Sequence, residues 1–201
     1  MDKLEKRDTQ LKRTIYFLVT VILIALFESC SSSSVRDGIN GGFESDYDGE
    51  NPDGWFANDL PQTKKYAELS IDNSTAHTGD QSILISISNN HPANKTFYNW
   101  IRRVDSIKEE GIYELQGWIK TEGIKNSPFI DVQCWNNTKM IGTASTSQNY
   151  SITGTKNWQH VKTIFSVPKG TSKILIRAGI TSTENKGGKV WFDDIKISKT
   201  K

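Results

Sequence analysis

The sequence predicts an all-β fold, an antiparallel β-sandwich or jelly roll, and three observations carry that expectation. Eight short segments alternate apolar and polar residues with a period of two, as half-buried strands do. Clusters of Gly, Asn, Pro and Ser separate them, among them 89–92, 168–170 and 185–188. Downstream of residue 37 no stretch repeats its apolar residues with the 3.6 period of an amphipathic helix.

In chain order, the N-terminus reads as an address. Lys12 and Arg13 precede a nearly unbroken apolar run over 14–27, shorter than the roughly 20 residues that a spanning helix needs. Residues 1–29 are therefore expected to be a signal peptide. The stretch Phe27-Glu28-Ser29-Cys30-Ser31-Ser32-Ser33-Ser34 resembles the lipobox of bacterial lipoproteins, although Glu28 departs from its small or apolar pattern. That resemblance implies lipidation of Cys30 and an exported protein held in the cell envelope through a membrane lipid anchor, with Ser31 and Ser32 leaning toward the outer membrane. A longer, uncleaved hydrophobic anchor is the alternative. Residues 30–37 are the lipidated cysteine and a serine-rich flexible tether, and the folded domain spans 38–201.

The expected strands are 69–71, 82–88, 96–104, 112–121, 129–136, 160–167, 173–180 and 190–197. Three rows point inward by alternation: Ile83, Ile85 and Ile87; Tyr113, Leu115, Gly117 and Ile119; Ile174, Ile176, Ala178 and Ile180. By the same alternation Glu114, Gln116, Trp118 and Lys120 face outward, and so do Asp131, Gln133 and Trp135. Cys134 falls on an apolar row with Ile130 and Val132. With Cys30 used as an anchor it has no partner for a disulfide, so it is expected to pack as a small core residue. In the last strand Trp191, Asp193, Ile195 and Ile197 share one face, with Phe192, Asp194 and Lys196 on the other. A carboxylate on a core-facing row calls for a hydrogen-bonding partner or a cation, unless Asp193 sits solvated at a frayed strand start.

Six stretches carry a further resemblance: Asn40-Gly41-Gly42-Phe43-Glu44; Gly54-Trp55; Ala76-His77-Thr78-Gly79-Asp80-Gln81-Ser82-Ile83; Gly111-Ile112-Tyr113-Glu114-Leu115-Gln116-Gly117-Trp118-Ile119-Lys120; Trp158-Gln159-His160-Val161 through Phe165-Ser166-Val167-Pro168; and Trp191-Phe192-Asp193-Asp194-Ile195. In this order, over about residues 38–198, they look like the signature stretches of family 4/9 and related carbohydrate-binding modules, a galactose-binding-like jelly roll. The resemblance implies a structural calcium (Ca²⁺) held by the Glu44 and Asp193 side chains, the Gly42 and Gln81 carbonyls, and Thr78. Mixed carboxylate and carbonyl oxygens suit this ion. A metal-free, hydrogen-bonded Glu44/Asp193 pair is the alternative. The acidic stretch 46–54 superficially suggests a second calcium loop, but its spacing fails: Asn51 stands where the EF-hand needs glycine and Ala57 where it needs the bidentate Glu.

The resemblance also implies that the outward row binds sugar. Trp118 and Trp135 would be rigid stacking platforms, and Gln116, Gln133 and Asp131 directional hydrogen-bond partners. Trp100 is a further candidate whose register is ambiguous, because Ile101 and Val104 fall on opposite faces. Arg177, of opposite parity to Ile176 and Ala178, is a possible hydroxyl donor. Trp55, Trp158 and Trp191 are expected in the core. The expected function is non-catalytic binding of a poly- or oligosaccharide. The alternative is an envelope protein that docks a protein partner through the same surface.

Other classes find little support. The formal net charge is +2, from 25 basic and 23 acidic side chains mixed along the chain, which leaves no nucleic-acid footprint. His77, His91 and His160 lack metal-ligand spacing, and no Gly-x-Ser-x-Gly elbow or phosphate loop appears.

Overall fold

A computed structural model describes residues 38–200 apart from 46–49, 59–63, 106, 108 and 109. The expected signal peptide, Cys30 and the tether, together with residues 46–49 of the acidic stretch 46–54, lie outside the described residues. Ten strands follow in order: β1 (Trp55–Ala57), β2 (Ala67–Asp72), β3 (Ser82–Ile87), β4 (Phe97–Val104), β5 (Gly111–Ile124), β6 (Phe129–Asn136), β7 (Lys139–Ser145), β8 (Gly154–Val167), β9 (Lys173–Thr181) and β10 (Lys189–Lys199). The described helical structure is two three-residue 3-10 turns, Lys64–Tyr66 and Thr146–Gln148.

The strands form two five-stranded antiparallel sheets. The front sheet has the order β1-β4-β9-β6-β7 and the back sheet β2-β3-β10-β5-β8. Alternation dictates what lies between them. Ile83, Ile85, Leu115, Ile119, Ile174, Ile176, Ala178 and Ile180 are all fully buried, as their rows predict. Cys134 is a buried free thiol whose pKa burial pushes up, so it packs as a small apolar side chain. At Gly117 a Cβ would stand 2.6 Å from Ile130 Cδ1 and 3.2 Å from Ile195 Cγ1, so a larger residue would displace core side chains between the sheets.

Strands β1 and β7 were not expected. Both are edge strands, and β7 reads Lys-Met-Ile-Gly-Thr-Ala-Ser, in which Ala144 alone is buried. Its inward positions are too small to create an apolar alternation.

The last strand corrects the expected register. Val190 and Phe192 point into the core, and so do Ile195 and Ile197, although the two pairs are out of phase. A register shift between Asp193 and Lys196, with Asp194 at φ +50°, inserts one residue and restores the inward face. Trp191 and Asp193 thus belong to the outer side of the back sheet. Trp191 donates its indole N–H to Asp72 Oδ2 (2.7 Å), and Lys120 lies over its ring. Asp193 is nonetheless fully buried, beneath the 77–81 turn.

Candidate functional site

The outer face of the front sheet is built from the outward rows of β4, β9, β6 and β7, and cross-strand register sets who meets whom. Asn99, Gly179 and Phe129 lie in one row, and Ile101, Arg177, Asp131 and Ser145 in the next. Then come Arg103, Leu175, Gln133 and Thr143, and finally Lys173, Trp135 and Met140. Four of the expected binding residues, Asp131, Gln133, Trp135 and Arg177, therefore share this face.

Its two ends differ chemically. At one end Trp135 donates its indole N–H to Gln133 Oε1 (3.2 Å), and Lys173 Nζ lies 5.6 Å from the ring centroid. The indole is thereby fixed in plane beside the exposed side chain of Met140, a rigid apolar platform. At the other end Arg177 Nε donates to Asn99 Oδ1 (3.0 Å), while Asp131 stands directly opposite Arg177 on the neighbouring strand. Burial pushes the Asp131 carboxyl up to about 6, against the opposing pull of the Arg177 charge. Asp131 Oδ1 and Asn99 Nδ2 are both buried and without a hydrogen-bond partner among the described residues. Asn99 was missed because Trp100 and Ile101 are both apolar, so parity on β4 could not be assigned from the sequence.

The remaining binding candidates lie elsewhere. Trp118 and Gln116 are on β5, in the back sheet, so the two tryptophans do not share one sheet face as expected. Strands β5 and β6 are consecutive, but residues 125–128 carry the chain from one sheet to the other instead of closing a hairpin, and the Asn185 side chain caps the crossing by accepting from Lys125 and Asn126 N–H (2.8 and 2.9 Å). Trp118 is also covered. The His77 imidazole stacks on it with 3.8 Å between centroids and 16° between planes, and His160 packs at 5.1 Å. Gln116 Oε1 is 2.9 Å from His160 Nε2. Trp158 is half-buried at the outer surface, edge-on to His77 at 5.8 Å, and is not in the core. Trp100 is a core residue, fully buried, with its indole N–H donated to the Leu84 carbonyl (3.3 Å).

Two of the expected calcium ligands, Glu44 and Asp193, meet at the 77–81 turn, which holds a third, Thr78. Asp193 Oδ2 accepts from the backbone N–H of His77 (2.7 Å) and Thr78 (3.2 Å), and Oδ1 from Asp194 N–H (2.6 Å). Glu44 Oε1 accepts from Asp80 and Gln81 N–H (3.0 and 3.1 Å). The two carboxylates grip opposite ends of one turn, joined through its backbone instead of paired with each other. Gly42 lies beside Glu44. Asp194, absent from the expected set, forms a third grip: its Oδ2 lies 2.7 Å from His77 Nδ1 and accepts from Thr78 Oγ1 (2.8 Å), and Lys196 Nζ reaches its Oδ1 (3.2 Å). Burial raises Asp193 to about 6, with the amide hydrogen bonds opposing. Burial would also raise Asp194, but the hydrogen bonds from His77, Thr78 and Lys196 hold it below the usual carboxylate range.

The donor set can be tested against Ca²⁺. Among the described residues no three His, Cys, Asp or Glu side chains gather as a metal cluster. An ion here would rest on two carboxylates supplemented by carbonyl and amide oxygens, which a hard cation accepts. The Gln81 Oε1 atom, buried and without a partner in this turn, fits such a set.

No family model matches the chain, and no curated protein matches it. Solved structures share its fold. The enzymatically active domain of bacteriophage CBA120 tailspike protein 4 superposes with a TM-score of 0.57 at 12% identity, covering 80% of this chain and 21% of that one. The module TmCBM61, in complex with β-1,4-galactotriose, gives 0.51 at 14%, covering 80% and 96%. The CBM22-1 xylan-binding domain of Xyn10C from Paenibacillus barcinonensis gives 0.53 at 15%, covering 80% and 92%. At these identities the likeness is one of fold, the jelly-roll sandwich of carbohydrate-binding modules, and it does not single out family 4/9.

Proposed function

We propose that the protein binds a poly- or oligosaccharide, without cleaving it, through the outer face of the front sheet. The observation that carries this reading is the pairing on one face of an indole platform at Trp135 with a recessed polar group of Asp131, Arg177 and Asn99. Pyranose rings need both, an apolar surface for their C–H faces and directional partners for their hydroxyls. The sandwich shared with xylan- and galactotriose-binding modules supports the same reading. In this reading Trp118 and Gln116 serve the back sheet, and Trp100 serves the core.

Titration calorimetry with xylohexaose and β-1,4-galactotriose, extended to an array of other glycans, tests it. Trp135→Ala is expected to weaken binding about tenfold or more, while Trp118→Ala on the opposite face leaves affinity unchanged. Absence of binding to every glycan refutes the reading. Release of reducing ends from a bound chain would refute the non-catalytic part.

The alternative is a protein partner docked on the same face, where Phe56, Phe97 and Met140 are exposed apolar side chains. A stable co-purifying complex that Trp135→Ala dissolves, with no glycan bound, would favour it. Two further parts belong to the proposal: a structural Ca²⁺ at the 77–81 turn, and attachment to the bacterial envelope through lipidated Cys30. Loss of lipid labelling in Cys30→Ala is the expected result for the latter, and unchanged labelling overturns it.

A further inference from the structure

The near balance of charge over the whole chain conceals a bias along it. From 124 to 183, the stretch that holds β6 to β9, there is one acidic side chain, Asp131, against seven basic ones, six lysines and Arg177. The other acidic residues of the described strands lie on β2, β5 and β10, all in the back sheet, where Glu114, Glu122 and Asp194 are paired with Lys162, Lys189 and Lys196. Asp131 is thus the one acidic residue in the described strands of the front sheet, and that sheet carries the surplus of positive charge.

Two of its cations stand on the outward row of β9. Lys173 Nζ lies 5.6 Å from the Trp135 ring centroid, and among the described residues it has no ion-pair partner. Arg177 spends its Nε on Asn99 Oδ1, which leaves both terminal amino groups of the guanidinium without a hydrogen-bond partner among the described residues. Both side chains are half-buried and open to solvent. They are four residues apart on one strand, so about 13 Å separates them along it. Trp135 stands beside the first and Asp131 beside the second. Asp131 does not neutralise Arg177: no ion pair forms between them, and burial pushes its carboxyl up to about 6. Lys139 and Lys169, both exposed, belong to turns that are fastened together behind Trp135, with Asn137 N–H donated to Ser172 Oγ (2.8 Å) and Ser172 N–H to the Trp135 carbonyl (2.7 Å). Arg103 adds no net charge, since Asp105 binds it (2.9 Å).

A neutral sugar has no use for unpaired cations beside its stacking platform. A ring that carries an ionised group uses both, laying its C–H face on the indole and its anion against the neighbouring cation. The free fork of Arg177 matches the two oxygens of a carboxylate or sulfate, and Lys173 supplies a point charge. A chain of a few units lying along β9 passes both. We propose that the front face takes an acidic glycan, with carboxylate or sulfate groups on its units, held by stacking on Trp135 and by ion pairs at Lys173 and Arg177. The proposal rests on the carbohydrate reading of this face and names its substrate class.

Matched ligands that differ in charge test it: oligogalacturonate against its methyl ester, and a glucuronate-branched xylohexaose against plain xylohexaose. Affinities of the full chain are measured at neutral pH in low salt and in about 1 M NaCl, where the Debye length falls to about 3 Å. In at least one pair the acidic member should bind about tenfold or more tightly in low salt, and the gap should close in high salt. The ratio within a pair, taken separately for each protein, cancels any general loss of affinity. In Lys173→Gln and in Arg177→Gln it should fall to about threefold or less, with melting curves to confirm folding. If Arg177→Gln fails to fold, Lys173→Gln alone decides. Neutral members bound as tightly as acidic ones, with Trp135→Ala impaired, overturn the proposal and leave the carbohydrate reading intact. A preference that survives in Lys173→Gln overturns it too, because the anion is then read elsewhere. A single-stranded oligonucleotide of similar charge, bound as tightly as the acidic glycan, would show a general polyanion surface and overturn it as well. If none of these ligands and no arrayed glycan binds, the carbohydrate reading falls and takes the proposal with it.

Discussion

Asp131→Asn should stabilise the free protein at neutral pH, which is unusual for removing a charge that faces an arginine. In the fold the Asp131 carboxyl is pushed up to about 6, against an ordinary value of 3.8, because burial outweighs the attraction of Arg177. A carboxyl raised in the folded state costs nothing below about pH 4, where both states are protonated. The cost grows between about 4 and 6 and is complete above that. The gap corresponds to at most about 3 kcal/mol, and partial solvent contact and local relaxation reduce this to roughly 1–2 kcal/mol. For a domain of this size, Asp131→Asn is then expected to raise the melting temperature at pH 7.5 by about 3–6 °C. Near pH 4 the difference should vanish. Asp193 is raised in the same direction, but it is present in both proteins and cancels in the comparison. Melting curves of the two proteins across pH 4–8 read the effect. A variant less stable than its parent at pH 7.5, or a gain of equal size at pH 4, would refute the reasoning.

Three further outcomes follow from other parts of the fold. Chelation should lower the melting temperature by about 5–10 °C if Ca²⁺ occupies the 77–81 turn at about a hundredfold above its dissociation constant, and no response to EDTA or added Ca²⁺ would remove the ion from the account. Gly41→Ala should destabilise by about 2 kcal/mol or more in denaturant unfolding, because its Cβ would lie 1.8 Å from the Ile195 carbonyl oxygen; wild-type stability would mean that the last strand shifts freely there. Trp118→Ala should cost about 2 kcal/mol in the same assay through loss of the His77 and His160 contacts, and an unchanged midpoint would show that the stack carries no energy.

How much of this was legible in the sequence depends on the question asked. Alternation told inside from outside correctly along β3, β5, β6 and β9, since one buried face leaves a period of two that any reader can count. It could not tell which sheet a strand joins. Trp118 and Trp135 carry the same outward signature, and only the crossing at 125–128 separates them. The bulge in β10 did leave a trace: Val190 and Phe192 are out of phase with Ile195 and Ile197, a mismatch that strict alternation forbids and one inserted residue repairs. Asn99 left none. The 40–44, 76–83 and 191–195 stretches, singled out by their resemblance to carbohydrate-binding modules, meet at one turn through Glu44 and Asp193, yet Asp194, the carboxylate with three side-chain partners, was overlooked in favour of its neighbour.

The β10 bulge has a mechanical side. Ile195 donates its backbone N–H to the Gly41 carbonyl at 2.8 Å, Phe43 is fully buried in the core two residues on, and Arg102 ties down the Gly38 carbonyl from the front sheet. Strand β10 is the middle strand of its sheet, flanked by β3 and β5. A pull on the chain upstream of residue 38 therefore first loads the 38–43 segment, pinned to the bulge of the central strand β10 and to Arg102 of the front sheet, before it reaches the edge strand β1.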